Sequence, residues 1–274
     1  MSTLGTVTLV GAGPGDPELL TLKAARLISG ADVVVYDRLV APEVLALIPP
    51  SAERVNVGKS TRHHTVPQEE INEILVRYAR AGRNVIRLKG GDPFIFGRGC
   101  EETERLAAAG VPFAVVPGIT AAQGASSATG VPLTHRGLAR SVRYVTGHCK
   151  ADEMLDLDWA GLADPQTTIV FYMGKATIRL IAQKLTEHGL SAQTPVLAVA
   201  SATTMAERRL VSTLAQIESD MALAGLESPV VFIIGAVAGL GARVPALAEL
   251  AAVPSGCGCG CACGSAALHE PCHA

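Results

Sequence analysis

Eight short runs rich in β-branched residues recur along the chain with helical stretches between them, and this alternation most limits what it can fold into. They are Val7–Val10, Val33–Tyr36, Val85–Leu88, Phe113–Val116, Ser141–Val145, Thr168–Tyr172, Val196–Ala200 and Val230–Ile234. A strand followed by a helix buries its apolar side only in stacked layers, so the pattern predicts an α/β fold. At 274 residues the chain can bury one large core or two of roughly 100–130 residues. The stretch Pro132–Arg140, with proline, glycine and basic groups, lies between two α/β halves and puts a boundary within residues 118–140. Between the first two strands, Asp16 is placed to cap a helix with Pro17 in its first turn, and Leu20, Ala24, Leu27 and Ile28 repeat at helical spacing. Thr65 and Gln68 have capping-box spacing and announce a second helix running through Ile71, Ile74 and Leu75 to Gly82.

Several classes are excluded. A net charge of -2 gives no general attraction to nucleic acid or to a membrane surface. The apolar run Val230–Leu240 is far short of the ~20 residues a spanning helix needs. Met1–Leu9 lacks the basic start and small-residue cleavage site of a secretory signal, so a cytoplasmic location is expected. Of seven cysteines only Cys100 and Cys149 lie in the body, which is no disulfide framework. There is no G-x-S-x-G elbow, Walker loop or H-E-x-x-H helix.

The informative segments follow strands. Gly11-Ala12-Gly13-Pro14-Gly15-Asp16 lets backbone approach a ligand closely and aims amides at it. Its third glycine comes too early for a G-x-G-x-x-G dinucleotide fingerprint, and Pro14 removes an amide, which disfavours a dinucleotide oxidoreductase. The stretch from Arg87 to Gly99 holds Lys89, Gly90, Gly91, Asp92 and Arg98 directly after a strand, where open α/β sheets bind ligands; the plainer reading is a solvated turn with Asp92 capping the next helix. Val116-Pro117-Gly118-Ile119-Thr120-Ala121 occupies the same position after its own strand, with a helix start capped by Thr120 as the plainer reading. Arg38, Lys59, Arg62, His63, His64, Lys89, Arg98, His135, Arg136, Arg140 and Arg143 gather in loops. Converging arginines hold carboxylates bidentately and suit a ligand bearing many of them, although solvated surface cations account for at least half.

Taken together, LVGAGPGDPELLTLKAA (9–25), YDRLV (36–40), VGK (57–59), RLKGGDPFIFGRG (87–99) with Glu101 and Glu102, VPGIT (116–120), GVPLTHR (130–136), TGH (146–148), YMGK (172–175) and SPVVFIIG (228–235) resemble the tetrapyrrole methylase family, in family order across residues 7 to about 240. The resemblance implies two α/β domains, 1–120 and 121–245, with the active site in the interdomain cleft, S-adenosyl-L-methionine as cofactor and a homodimer. It implies a cofactor site of Pro14, Gly90, Gly91, Asp92, Ile95, Thr120, Ala121, Met173 and Ala202. Asp37 is implied as proton acceptor and Lys59 as proton donor; Arg98, Glu101, Arg136 and Met173 would face the tetrapyrrole. The combination of FGRG, PLTHR and TGH points to uroporphyrinogen III as the substrate, methylated at ring positions 2 and 7 to precorrin-2, with a later corrin precursor as the alternative. In such chemistry an electron-rich pyrrole carbon attacks a cationic methyl donor, and a carboxylate stabilises and then deprotonates the ring. Two departures touch the pocket: Ala128, where an aromatic residue is common, and Glu207, where glutamine is common.

Residues 246–274 fall outside the resemblance and read as a low-complexity, disordered tail. Cys257, Cys259, Cys261, Cys263 and Cys272, with His269 and His273, offer soft-metal ligands, but C-x-C spacing is unlike paired zinc ligands. A metal-binding or delivery protein acting through this tail is the non-enzyme alternative.

Overall fold

In the computed structural model, which describes residues 4–58, 66–148 and 155–243, ten strands form two five-stranded sheets. The first holds β1 (Val7–Gly11), β2 (Val33–Tyr36), β3 (Glu53–Asn56), β4 (Val85–Lys89) and β5 (Phe113–Val116) in the order β3-β2-β4-β1-β5, every pairing parallel. Its two faces follow from the two-residue alternation of side chains. Val10, Val34, Ile86 and Val116 pack with Ala24 and Ile28 of α1 (Leu22–Ser29) and Val44 of α2 (Pro42–Leu45). Val7, Leu9, Val33, Val35 and Val85 face the other way, against Ile71, Leu75 and Ala79 of α3 (Gln68–Arg80) and Leu106 of α4 (Gly99–Ala108). The chain leaves β1 through α1 on one face and β4 through α4 on the other, so the crossover helices that follow these two adjacent strands part to opposite faces. Their carboxyl ends form a topological switch point, the place where such sheets open a crevice for ligands.

The second sheet, in the order β6-β7-β10-β8-β9, comprises β6 (Ser141–Thr146), β7 (Thr167–Tyr172), β8 (Pro195–Ala200), β9 (Arg208–Thr213) and β10 (Val230–Ile234). Only β6 and β7 run parallel; the other pairings are antiparallel. One face is covered by α6 (Trp159–Leu162), α7 (Ile178–Glu187) and α8 (Ile217–Ala224) around Phe171 and Phe232. The other is covered by α5 (Ala121–Thr129) and the 3-10 segment Ala236–Arg243, through Ala122, Ala125, Val237 and Ala238. No helix among the described residues is long and apolar enough to cross a membrane.

Three local readings of the sequence are corrected. β3 and β9 are both edge strands; ERVN and RRLVST leave little apolar signal, and edges carry polar residues without penalty. Asp16 caps only the 3-10 turn Pro17–Leu19, and α1 starts at Leu22 with Thr21 accepting from the Ala24 amide. The N-cap of α3 is Pro67, with no side-chain cap; Gln68 turns inward to bond Asn72 and Glu102 instead, and Thr65 lies outside the described residues.

The first sheet closes tightly where its ligand-facing loops begin. A Cβ on Gly118 would collide with the Gly91 carbonyl and lie 2.8 Å from the Gly11 Cα, and one on Gly11 would lie 2.5 Å from the Gly118 nitrogen. These are backbone atoms that cannot move aside, so Gly118→Ala is expected to lower unfolding stability by about 2 kcal/mol or more, as forced overpacking does. A urea titration checks this; unchanged stability would show that the loops have room to part.

Candidate functional site

Backbone pairing builds the floor of the crevice. Gly13 and Gly91 exchange both amide bonds, Gly13 N to Gly91 O at 3.2 Å and Gly91 N to Gly13 O at 2.7 Å, so the loops beyond β1 and β4 are locked together. Both glycines have positive φ (71° and 68°), which a side chain would disfavour. Asp92 does not cap α4. Its Oδ1 accepts from the Phe94 amide at 2.8 Å and its Oδ2 from the Gly118 amide at 3.1 Å, which ties the β4 loop to the β5 loop.

A buried charged cluster lies beside this floor. Glu102 Oε1 accepts from Lys89 Nζ (2.9 Å), Arg87 Nε (3.1 Å) and Gln68 Nε2 (3.2 Å), while Glu102 Oε2 is buried without a partner. Arg87 Nη2 reaches on to Asp37 Oδ2 at 3.2 Å, and Asp37 Oδ1 accepts from the Leu39 amide at 3.0 Å. Lys89 is therefore no loop cation: it ends β4, is buried, and has its pKa lowered by desolvation and by the Arg87 charge. Nearer solvent, Arg98 and Glu101 form a bidentate pair, Nε to Oε1 at 2.7 Å and Nη2 to Oε2 at 2.6 Å. That hydrogen bonding holds Glu101 below the usual carboxylate range and raises Arg98. Two of five guanidinium N–H groups are used, so the fork is oriented and can still donate to a ligand carboxylate.

The second sheet supplies the opposite wall. Tyr172, at the end of β7, shares a hydroxyl–hydroxyl bond with Thr120 (2.6 Å) and accepts from the Ala122 amide (3.1 Å). Thr120 is the N-cap of α5 but makes no capping bond of its own; the tyrosine satisfies the helix end instead. Desolvation raises the Tyr172 pKa. The Tyr172 ring also meets Phe96 at 5.0 Å and Tyr144 at 5.8 Å between centroids. Thr203 Oγ1 accepts from the Asp16 amide (3.1 Å), while the Thr203 amide donates to Glu207 Oε2 (2.7 Å). The two departures from the family pattern meet here, since Arg209 bonds both Glu207 and the Ala128 carbonyl.

Phe96, Arg98, Met173, Ser201 and Thr203 all have positive φ, from 47° to 65°, and all lie in loops beyond β4, β7 and β8. Such backbone costs of order 1–3 kcal/mol per residue and collects at functional sites.

Most of the residues singled out in the sequence come together. Pro14 packs where a Cβ on Gly124 of α5 would lie 2.5 Å away, and a Cβ on Gly91 would come 3.8 Å from the Ala121 nitrogen and the Thr120 Cα. Ile95 continues the β4 loop with its amide 3.4 Å from the Asp92 carbonyl, Met173 follows Tyr172 and is half exposed, and the Ala202 carbonyl borders Gly15. Arg136 is exposed on the loop closed by the His135–Ala139 bridge and enters none of these contacts. Lys59, Arg62, His63, His64 and the tail cysteines lie outside the described residues. Among the described residues, no group of three His, Cys, Asp or Glu side chains could hold a metal. Sequence reasoning missed Tyr172, Glu207 and the Arg87–Glu102 pair as structural partners; an arginine and a lysine two apart in an otherwise apolar strand were the signal for the last.

A family model described as Tetrapyrrole (Corrin/Porphyrin) Methylases matches residues 6–218, and the chain belongs to this family. A uroporphyrinogen-III C-methyltransferase of Paracoccus denitrificans is 55% identical over 251 residues, 92% of this chain and 85% of that protein. A siroheme synthase of Azotobacter vinelandii is 55% identical over 234 residues, 85% of this chain but 50% of that protein, so the chain spans about half the length of that relative. The crystal structure of a uroporphyrin-III C-methyl transferase from Thermus thermophilus complexed with S-adenyl homocysteine superposes with a TM-score of 0.73 at 44% identity, covering 85% of this chain and 93% of that one.

Removing the Tyr172 hydroxyl strands Thr120 and the Ala122 amide. Tyr172→Phe is expected to lower stability by about 1–3 kcal/mol, the cost of leaving such groups unpaired. Chemical denaturation checks it; an unchanged midpoint would show that the tyrosine does not hold the α5 terminus.

Proposed function

We propose that the chain transfers methyl groups from S-adenosyl-L-methionine to uroporphyrinogen III at ring positions 2 and 7, giving precorrin-2 by way of precorrin-1. The observation that carries this is the convergence of glycine loops, Asp37 and the Arg98–Glu101 fork at one sheet end, in a chain so similar over nearly all its length to a uroporphyrinogen-III C-methyltransferase. Only methylation is proposed, because the siroheme synthase relative is about twice as long as the matched region. The product serves siroheme, cobalamin or haem d1 formation.

The residues present fit the cofactor. Gly90 leaves no room for a Cβ beside Leu39, Gly91 keeps the floor open toward Ala121 and Thr120, and the walls are backbone and small side chains that a folded nucleoside can lie against. Pro14, Gly90, Gly91, Asp92, Ile95, Thr120, Ala121, Met173 and Ala202 would hold it. When bound, S-adenosyl-L-methionine supplies an electrophilic methyl group. Arg98, Glu101, Arg136 and Met173 face the tetrapyrrole, with Arg98 meeting its acetate or propionate carboxylates. Asp37, partly exposed and fixed through both oxygens, accepts the ring proton, with Lys59 as proton donor. Much of the acceleration comes from aligning the ring carbon with the methyl group. We also assign domains 1–120 and 121–245, supported by the packing of α5 on the second sheet, a cytoplasmic location, and the homodimer that family membership implies.

Anaerobic incubation with enzymatically generated uroporphyrinogen III and S-adenosyl-L-methionine, followed by product mass and absorbance, tests the reading. A gain of two methyl groups is expected, with turnover reduced about tenfold or more in Arg98→Ala, a loss of ~1.4 kcal/mol of transition-state stabilisation. No methyl gain would contradict it.

A further inference from the structure

The buried Arg87, Lys89 and Glu102 have no part in the proposed transfer, yet they are costly. Arg87 is 2% exposed and Glu102 fully buried. Taking such charges out of water costs several kcal/mol per ion, and well-packed apolar side chains of like volume are often as stable or more so. Stability alone therefore does not account for them.

Their geometry does. Arg87 is held on three sides: Nε by Glu102, and Nη1 by the carbonyls of Leu88 (3.0 Å) and Val35 (3.4 Å), which leaves Nη2 aimed at Asp37. Glu102 is itself pinned by Lys89 and Gln68, so the guanidinium cannot pivot. Glu102 belongs to the first turn of α4, the turn whose N-cap is Arg98 and which carries Glu101. One rigid planar group thus spans from the helix that presents the carboxylate-binding fork to the acid at the end of β2. A planar fork with several donors holds two carboxylates in one fixed mutual orientation, which the compact, freely rotating ammonium of a lysine does not.

We propose that Arg87, anchored by Glu102, is a positioning residue that fixes Asp37 relative to the Arg98–Glu101 fork. This rests on the reading of Asp37 as proton acceptor. With Oδ2 on Arg87 and Oδ1 on the Leu39 amide, the carboxylate presents its remaining lone pairs in one orientation. Loss of the strut leaves the cofactor loops intact and lets the acid drift, and a displacement of about 1 Å at a reacting group costs on the order of a hundredfold in rate.

The test measures kcat, the KM for uroporphyrinogen III and the affinity for S-adenosylhomocysteine in Arg87→Met, Asp37→Asn and the double variant. Arg87→Met is expected to lower kcat about a hundredfold while KM and S-adenosylhomocysteine affinity stay within about threefold. In the Asp37→Asn background the same change is expected to cost less than about threefold more, because coupled residues are not additive. Should Arg87→Met fail to fold, Arg87→Lys keeps a buried cation but loses the rigid fork that orients both carboxylates, and the same pattern is expected of it. A kcat within about threefold of the parent, a fully additive loss on Asp37→Asn, or a parallel fall in S-adenosylhomocysteine affinity would each overturn the strut. An Asp37→Asn enzyme with undiminished turnover would instead overturn the proton-acceptor reading beneath it.

Discussion

The structure depends on how closely three strand-end loops of the first sheet approach one another. Gly11, Gly91 and Gly118 meet with backbone against backbone, and no side chain fits between them. Because these loops follow β1, β4 and β5, the approach occurs where the crossover helices part to opposite faces, and the crevice has a floor of amides and carbonyls instead of side chains. Asp92 fixes that floor by bonding the Gly118 amide, and the exchange between Gly13 and Gly91 makes the loops one unit. Everything proposed for the cofactor relies on this rigidity.

The second sheet matters through what it leans over the crevice. Tyr172 closes the start of α5, Thr203 catches the loop after β1, and Glu207 with Arg209 braces Thr203 from behind. Tyr172 precedes the left-handed Met173, and Thr203 is itself left-handed. The strain of Met173 and Thr203 is therefore held by bonds on the adjacent Tyr172 and on Thr203 itself.

Short runs rich in β-branched residues mark the buried strands, and glycines after strands mark the loops, because both are local patterns. Edge strands β3 and β9 escaped, since ERVN and RRLVST have no face that must be apolar. Arg87 and Lys89 are visible as cations, but their burial is not: it depends on Glu102, fifteen and thirteen residues on, being carried back over the sheet by α4, a placement that no local pattern encodes. Gln68 shows the same limit. Its spacing from Thr65 suggested a cap, and its partner across the layer turned it inward. The local motif was legible; the tertiary partner was not.

A crystal structure of the chain with S-adenosylhomocysteine tests the central claim most directly. The account predicts ligand density against the backbone of Gly90, Gly91 and Asp92, bordered by Thr120, Ala121 and Met173. Density elsewhere, with the loops after β1, β4 and β5 left bare, would contradict it.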